Sequence, residues 1–382
     1  MIKRSLQLPP HPHTSFFLWG PRQTGKSSLL RATYPGALTI DLLSSRDFVR
    51  FSRDPGILRE EISAVSAGSV VIDEVQKVPA LLDEVHWLIE NRGTAFVLCG
   101  SSARKLRRGH ANLLGGRALR YELHGLVSAE LGRQFDLVRI LNQGFLPRHY
   151  LEDDFRPLLR AYVDDYLKEE IAAEGLTRNL PVFADFLGAA ALADGELVNY
   201  STIGRDCGAS PHAVKDYFNI LVDTLLGRFL PAWRRRPKRR VIQTPKFYLA
   251  DVGVVNHLAR RGRLEPGSEL FGKALESWVF HELSSYRAYR GFAFDLAYWR
   301  LASGVEVDFV LDDLSLAIEV KATRMANADH LRGLRELARD QRVARRLLVS
   351  LDVRPRRTED GIEILPAVEF ARRLWGGDLI AS

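Results

Sequence analysis

The stretch from Ser15 to Tyr34, SFFLWGPRQTGKSSLLRATY, decides how this chain is read. SFFLW is a short apolar run of the kind a buried strand shows, and it ends directly in a glycine-bounded loop. KSSLLRATY, after the loop, reads as a helix. Gly20, Gly25, Lys26 and Ser27 fit the pattern G-x-x-x-x-G-K-[ST]. Glycines let the backbone wrap a phosphate with its N–H groups pointing inward, and the helix N-terminus behind them favours the negative charge. The loop Gly20, Pro21, Arg22, Gln23, Thr24, Gly25, Lys26, Ser27 and Ser28 is the expected cradle for ATP. Lys26 would reach the β- and γ-phosphates, and the Ser27 hydroxyl would ligate Mg2+.

Working outward, SVVIDEV is a second apolar strand that ends in Asp73-Glu74. Asp73 is placed to hold the magnesium through water and Glu74 to polarise the attacking water. AFVLCGSSARKL is a third, and a hydroxyl at its end, Ser101 in preference to Ser102, would sense the γ-phosphate. Arg117, beside two glycines in LLGGRALRYELHGL, is a candidate for the arginine that stabilises transition-state charge, often in a neighbouring subunit; the alternative is a solvated surface residue. With ALTIDLL between the phosphate motifs, strand–helix alternation from Ser15 to Leu123 predicts five strands in a parallel sheet covered by helices on both faces.

Beyond this point, residues 125–178 show a helical period. The segment YSTIGRDCGASPHAVKDYFNILVDTLLG then reads as two helices joined by a glycine turn. Ser201 is expected to cap the first, Ser210-Pro211 to start the second, and His212, Lys215 and Asn219 to face outward. GRFLPAWR and VIQTPKFYLAD read as strands on either side of Arg234, Arg235, Arg236, Lys238, Arg239 and Arg240. Such a charge cluster at a hairpin tip repels itself unless anions receive it, and a winged helix lying along a duplex meets phosphates there. A merely solvating run is the alternative reading.

The last third offers a different chemistry. FAFDLAYWRLASGVEVDFVLDDLSLAIEVKAT reads as three strands, and in Glu319-x-Lys321 the period of two puts both side chains on one sheet face. Asp308 and Glu319 could hold Mg2+ while Lys321 orients water for attack on a phosphodiester; Glu276 and Glu282, six apart on the preceding helix, do not share a face. An ordinary Glu319–Lys321 ion pair needs no metal, and it remains open beside the catalytic reading. A following helix and strand would complete an α/β/α sandwich.

Composition sets the bounds. With 382 residues the chain is long enough for two or three domains, and 46% hydrophobic residues exclude wholesale disorder. Lys+Arg 54 against Asp+Glu 47 gives +7, so the location of the excess matters more than its sum. The two cysteines, Cys99 and Cys207, lie too far apart for a CxxC zinc site and are too few for a disulfide framework. No apolar run has the length of a membrane span, which makes a cytoplasmic location the expectation.

LWGPRQTGKSSLL, VVIDEVQKVPALL, LCGSSARKL and LGGRALRYELHGL resemble the motifs of AAA-type ATPases of the archaeal-ATPase-like group. TPKFYLADVG, GKALESWVFHEL and GVEVDFVL…AIEVKAT resemble the domain of unknown function usually fused to that ATPase, whose core is similar to PD-(D/E)XK nucleases; that resemblance matches Asp308, Glu319 and Lys321 and implies an upstream acid, Glu276 or Glu282. The resemblance implies ATP and Mg2+ use by Gly20, Lys26, Ser27, Asp73 and Glu74, and a ring-like homo-oligomer, a hexameric ring among the expected forms, in which Arg117 could serve a neighbour. The expected fold is α/β throughout. It comprises a P-loop AAA-type ATPase core over 1–124, a helical lid over 125–178, a winged helix-turn-helix over 179–262 and a restriction-endonuclease-like α/β domain over 263–382. The expected function is ATP-driven moving or remodelling of duplex or branched DNA, such as junction or repair intermediates. An ATP-gated nuclease of genome defence and a nucleotide-switched DNA-binding regulator are the alternatives.

Overall fold

A computed structural model describes residues 2–64, 69–102, 114–167, 179–233, 242–291 and 294–380. The chain divides into two compact units, residues 3–125 with 223–226, and residues 1–2 with 126–222 and 227–382. Among the described residues no helix is long and apolar enough to cross a membrane.

In the first unit, β1 (Ser15–Trp19) lies inside a sheet ordered β2 (Leu38–Asp41), β3 (Val70–Asp73), β4 (Phe96–Gly100), β1, β5 (Ala118–Glu122). Every neighbouring pair is parallel, as the alternation predicted. β1 and β4 are buried along their whole length because both faces are covered, which is why they read as continuous apolar runs. Phe17, Trp19, Ile72 and Leu98 pack with Phe51 of α2 (Ser45–Arg53), Leu58 of α3 (Ile57–Ala64) and Leu82, Val85 and Leu88 of α4 (Leu81–Arg92). On the opposite face Phe16 meets Tyr34, the residue that ends α1 (Lys26–Thr33). Parallel order brings the C-terminal ends of β1, β3 and β4 to one edge, where an open α/β sheet presents its ligand site.

The second unit is built on a six-stranded sheet, β12 (Arg356–Arg357), β13 (Glu363–Pro366), β11 (Arg346–Ser350), β10 (Leu316–Val320), β9 (Glu306–Leu311), β8 (Leu296–Arg300). β8, β9 and β10 form an antiparallel meander, and β10, β11 and β13 run parallel. Tyr298, Phe309, Ile318 and Val349 face one core, with Trp278 and Val279 of the long helix Glu269–Arg290 and Phe370 of the helix Ala367–Gly376. Trp299, Val307, Ala317 and Leu348 face the other, under Leu334 and Leu337 of the helix Arg332–Asp340. The result is the three-layer sandwich expected for this region.

The segments expected to form a lid and a winged helix share part of their packing with the rest of the second unit, while Phe183, Phe186, Tyr217, Phe218, Phe229 and Phe247 pack on one another. Short helices α5 (Ser128–Leu131), α6 (Leu137–Gln143), α7 (Pro147–Leu151) and α8 (Phe155–Ala161) follow β5. Ile140, Leu141, Phe145 and Tyr150 from this region, and Leu230, Tyr248 and Val252 from the hairpin region, join the same cluster as Trp278 and Tyr298.

The segment read as a helix-turn-helix contains α9 (Leu180–Leu192), α10 (Tyr200–Cys207) and α11 (Pro211–Asp223), with Gly208 in the left-handed conformation (φ 69) between the last two. The first cap is a correction: Asn199, not Ser201, accepts the N–H groups of Ser201 and Thr202. Ser210 does cap α11, accepting from Ala213 N at 3.2 Å, and His212, Lys215 and Asn219 are exposed. β6 (Gly227–Leu230) and β7 (Lys246–Leu249) then pair antiparallel, and α12 (Val252–Leu258) follows. Arg234, Arg235, Arg236, Lys238, Arg239 and Arg240 lie outside the described residues. Their flanks are described: Trp233 N donates to Tyr298 O at 2.7 Å and Ile242 N to Arg300 O at 2.9 Å, so both arms are fastened to β8.

The long helix, α13 (Glu269–Arg290), also decides between the two candidate acids. Glu282 is fully buried and accepts from Ser128 N at 2.8 Å, Ser128 Oγ at 3.0 Å and Trp375 Nε1 at 2.5 Å. It clamps α5 and the final helix to α13 and takes no part in the acidic site described below. Burial, against those three donors, pushes its carboxyl up to about 7. A carboxyl whose folded value lies above its unfolded one binds its proton more tightly when folded, so its contribution to stability is lost as pH rises from about 4.5 to about 7. Melting followed across that window should show stability falling with pH. Glu282→Gln should flatten the fall by up to about 3 kcal/mol, leaving the part due to the other carboxyls that burial raises, Asp194, to about 6, and Glu319, to about 7, among them. An unchanged slope in the variant would refute the assignment.

Candidate nucleotide site and a buried acidic centre

The loop after β1 is tightly braced. A Cβ on Gly20 would lie 2.3 Å from Leu123 O, so only glycine allows the loop to pass the end of β5 so closely. Thr24 Oγ1 donates to Pro21 O at 2.8 Å, and Arg4 donates to Thr24 O, to His124 O at 2.7 Å and to Gly125 O at 3.0 Å. Gly25 (φ 92) opens α1, and buried Lys26 donates from Nζ to Gly20 O at 2.7 Å and Pro21 O at 2.9 Å. Its ammonium thus lies inside the loop's curve. Ser27 Oγ donates to Asp73 Oδ2 at 2.6 Å. A hydroxyl beside a carboxylate is a hard-oxygen pair that fits Mg2+, and Ser27 and Asp73 are the residues that would hold it.

Glu74 adopts the left-handed backbone (φ 57), a strain of order 1–3 kcal/mol for a residue with a Cβ, as it enters the turn Val75–Lys77. Burial raises its carboxyl above the ordinary range, with Lys26 and Arg22 opposing. A residue that sequence reasoning missed completes the arrangement: Gln76 Nε2 donates both to Glu74 Oε2 and, at 3.0 Å, to Ser101 Oγ. Ser101 is thereby joined to Glu74, whereas Ser102 Oγ turns to Asp223 O. Arg117 does not reach this edge. It precedes β5, whose Ala118 pairs with Ser15 at the opposite end of β1, and it is paired with Glu90.

A second concentration of charge lies inside the other unit. Glu276 of α13, Glu306 and Asp308 of β9, and Glu319 of β10 converge, and Lys321 Nζ contacts Glu319 Oε1 at 2.6 Å. The four residues expected together, Glu276, Asp308, Glu319 and Lys321, are indeed neighbours, with Asp308 Oδ2 accepting from Val320 N at 2.8 Å. Missing from the sequence reading is Lys246 of β7, only 3% exposed. Its Nζ is 2.9 Å from Glu276 Oε1, in contact with Glu306 and 4.0 Å from Asp308 Oδ1. Tyr248 OH also donates to Glu276 at 2.5 Å.

These contacts set the charge states. Burial, reinforced by Glu319 and Glu276, lifts the Asp308 carboxyl well above its usual range; burial also pushes Glu319 up to about 7, against Lys321. Burial would raise Glu276 too, but Lys246 and the Tyr248 hydroxyl outweigh it and hold that carboxyl low. Three of the four carboxylates face an internal ammonium. Magnesium binds carboxylate oxygens at about 2.0–2.1 Å, so an ion shared by Asp308 and Glu276 would have to displace Lys246. The residues as arranged do not fit a resident divalent ion there, and among the described residues no group of three His, Cys, Asp or Glu side chains is placed to hold one.

Fold and nucleotide site together define a P-loop ATPase. Residues 13–132 match the AAA domain family, in keeping with the phosphate loop and parallel sheet of the first unit. Residues 134–265 match a domain of unknown function (DUF8612), and residues 271–370 match another (DUF4143). The chain is 25% identical over 342 residues to the uncharacterized protein Mb2031c of Mycobacterium bovis and to the uncharacterized protein Rv2008c of Mycobacterium tuberculosis, covering 87% of itself and 75% of each. Among solved structures it is similar to the Walker-type ATPase PABY2304 of Pyrococcus abyssi, at 17% identity and TM-score 0.39, over 64% of this chain and 90% of that one. It is also similar to the Aeropyrum pernix ORC1 protein in complex with DNA, at 13% identity and TM-score 0.25, over 66% and 87%.

Two outcomes test these sites. Gln76→Ala should lower kcat for ATP about 10–100-fold while ATP affinity holds. Because the Gln76 hydrogen bond lowers the Glu74 pKa, the acid limb of the pH–rate profile should also move to higher pH. An unchanged profile and kcat would remove Gln76 from the site. In a chain carrying Asp73→Ala, Lys246→Met should lose about 3–5 kcal/mol of stability and recover much of it on adding Mn2+, with no Mn2+ effect while Lys246 is present. Absence of that rescue would mean that Lys246 is not what keeps a divalent ion out.

Proposed function

We propose that the chain is a DNA-binding ATPase, in which hydrolysis in the first unit drives the moving or remodelling of duplex or branched DNA held by the second. In the hydrolysis step Lys26 steadies the β- and γ-phosphates and Glu74 aligns the attacking water. Gln76 relays the position of Ser101, beside the γ-phosphate, to Glu74. Mg2+, held by Ser27 and Asp73, would neutralise charge on the phosphates.

The observation that carries the DNA reading is the fastening of the hairpin. Trp233 and Ile242 are both hydrogen-bonded to β8, two residues apart, so the six cations between them belong to one short connection directly after a helix-turn-helix. Confining that much like charge is unfavourable in water alone and is relieved by a phosphate backbone, which releases counterions as it binds. The backbone carries no base code, so the reading favours recognition of DNA shape over an operator sequence. Assembly into a ring of copies is supported by Arg117, which precedes β5 at the end of the sheet away from its own phosphate loop, where an arginine can act only on a neighbour's nucleotide.

An ATP-gated nuclease is a second reading, favoured by the convergence of Glu276, Asp308, Glu319 and Lys321 and opposed by Lys246. The decisive measurement for the first reading is ATP turnover with and without duplex, forked and four-way DNA. Replacing Arg235, Lys238 and Arg239 by Glu should abolish stimulation by DNA and leave basal turnover intact. Stimulation that survives the charge reversal would sink the proposal.

A further inference from the structure

The second unit contains a cleft of about 640 Å3 between α6, α8 and the loop after α12. Six arginines line it: Arg139 from α6, Arg156 and Arg160 from α8, and Arg260, Arg261 and Arg263 from the loop. Two acids share the lining, and both are engaged elsewhere. Asp136 caps α6 by accepting from Arg139 N at 2.9 Å, and Asp153 Oδ1 is 3.0 Å from Arg139 Nη2. Arg139 is a brace, since it also donates to Gln143 Oε1 and Tyr150 O, each at 2.8 Å. Arg263 pairs with Glu265 in an exposed contact of 3.1 Å.

The remaining arginines are different. Among the described residues no ion pair or side-chain hydrogen bond engages Arg156, Arg160 or Arg260. Arg156 and Arg160 are four apart on one helix, so their side chains project side by side from the same face of α8. Arg260 adopts the left-handed backbone (φ 52), unfavourable for a residue with a Cβ, and is held there by Arg260 N to His257 O at 3.0 Å and Arg261 N to Asn256 O at 2.8 Å. Arg261 is half-buried, and that burial lowers its pKa against the pull of Asp194.

Uncompensated guanidinium groups that converge from two elements on one concavity repel each other, and its low-dielectric walls focus the field. Their planar forks match phosphate oxygens two at a time, so a single phosphate would occupy only part of such a set. We propose that this cleft binds a run of consecutive phosphates, as presented by a nucleic-acid backbone or by a free polyphosphate chain. The site is distinct from the basic hairpin and from the ATP loop, and it goes beyond the function proposed above because it does not depend on either.

The test uses the full chain with Lys26→Ala, so that the ATP loop does not compete for phosphate. Arg156→Glu/Arg160→Glu is compared with its parent by binding of a labelled single-stranded oligonucleotide and, separately, of inorganic tripolyphosphate. The expected result is at least a tenfold loss for one or both probes, with the salt slope for the oligonucleotide reduced by about 1–2. Loss for the oligonucleotide alone identifies a nucleic-acid backbone, loss for tripolyphosphate alone identifies a free chain, and either upholds the cleft. Both arginines are exposed, and Arg156→Gln/Arg160→Gln, which should give an intermediate loss, guards against misfolding. A control with the same charge change on the other unit, Arg31→Glu/Arg92→Glu, should bind as the parent does. Unchanged affinity in the cleft variant, or an equal loss in the control, overturns the proposal.

Discussion

An ammonium withdrawn from water has to be matched at close range, and Lys246 is where this protein meets that demand. Its Nζ is shared by Glu276 from α13 and Glu306 and Asp308 from β9, while Lys246 itself belongs to the hairpin strand β7. Removing either side leaves uncompensated buried charge, which costs far more than the net gain of the intact cluster. The constraint therefore acts on placement: hairpin, long helix and sheet can assemble only in the register that brings these groups together. It explains why segments with the appearance of separate modules share one core, in which Leu230 and Tyr248 of the hairpin stand beside Trp278 and Phe309.

The nucleotide site handles buried charge in a different way. Asp73 is matched by a hydroxyl, Glu74 by an amide, and Lys26 by the carbonyls of its own loop. None of these is an opposite full charge at contact, so the site keeps its electrostatic capacity for a ligand that brings phosphates and a metal. In the acidic centre the opposite charges are internal, with Lys246 and Lys321 spent on Glu276 and Glu319. Two clusters of similar composition thus differ in what they can still bind, and the difference rests on where the lysines come from.

The parts that could be read from the sequence are those whose chemistry is local. Gly20 to Ser28 is one continuous motif between an apolar run and a helix, and Asp73, Glu74 and Ser101 each end an apolar strand, so parallel pairing alone brings them to one edge. Asp308, Glu319 and Lys321 were legible from strand period and hairpin pairing. Helix periodicity could not choose between Glu276 and Glu282, because both faces of α13 are buried in the unit and the partners that distinguish them come from β7 and from α5 with the final helix. Arg4 escaped notice for a related reason: its acceptors lie 20 and 120 residues away, and nothing near it in the chain has a pattern. Lys246 sits in a strand whose neighbours are apolar and aromatic, where a lysine reads as an exposed edge residue until the acids of α13 and β9 are brought to it.

The same network gives the cationic connection a mechanical footing. Ile242, at its downstream end, is hydrogen-bonded to Arg300 O; the Arg300 side chain is 2.8 Å from Glu306 Oε2; and Glu306 contacts Lys246. From Ile242 to the helix α13 there is an unbroken series of hydrogen bonds and ion pairs, with Lys246 buried at its centre and the other members half-buried. Movement of the hairpin arms relative to the sheet would have to separate Lys246 from its carboxylates, and in a medium of low dielectric that separation is steeply uphill.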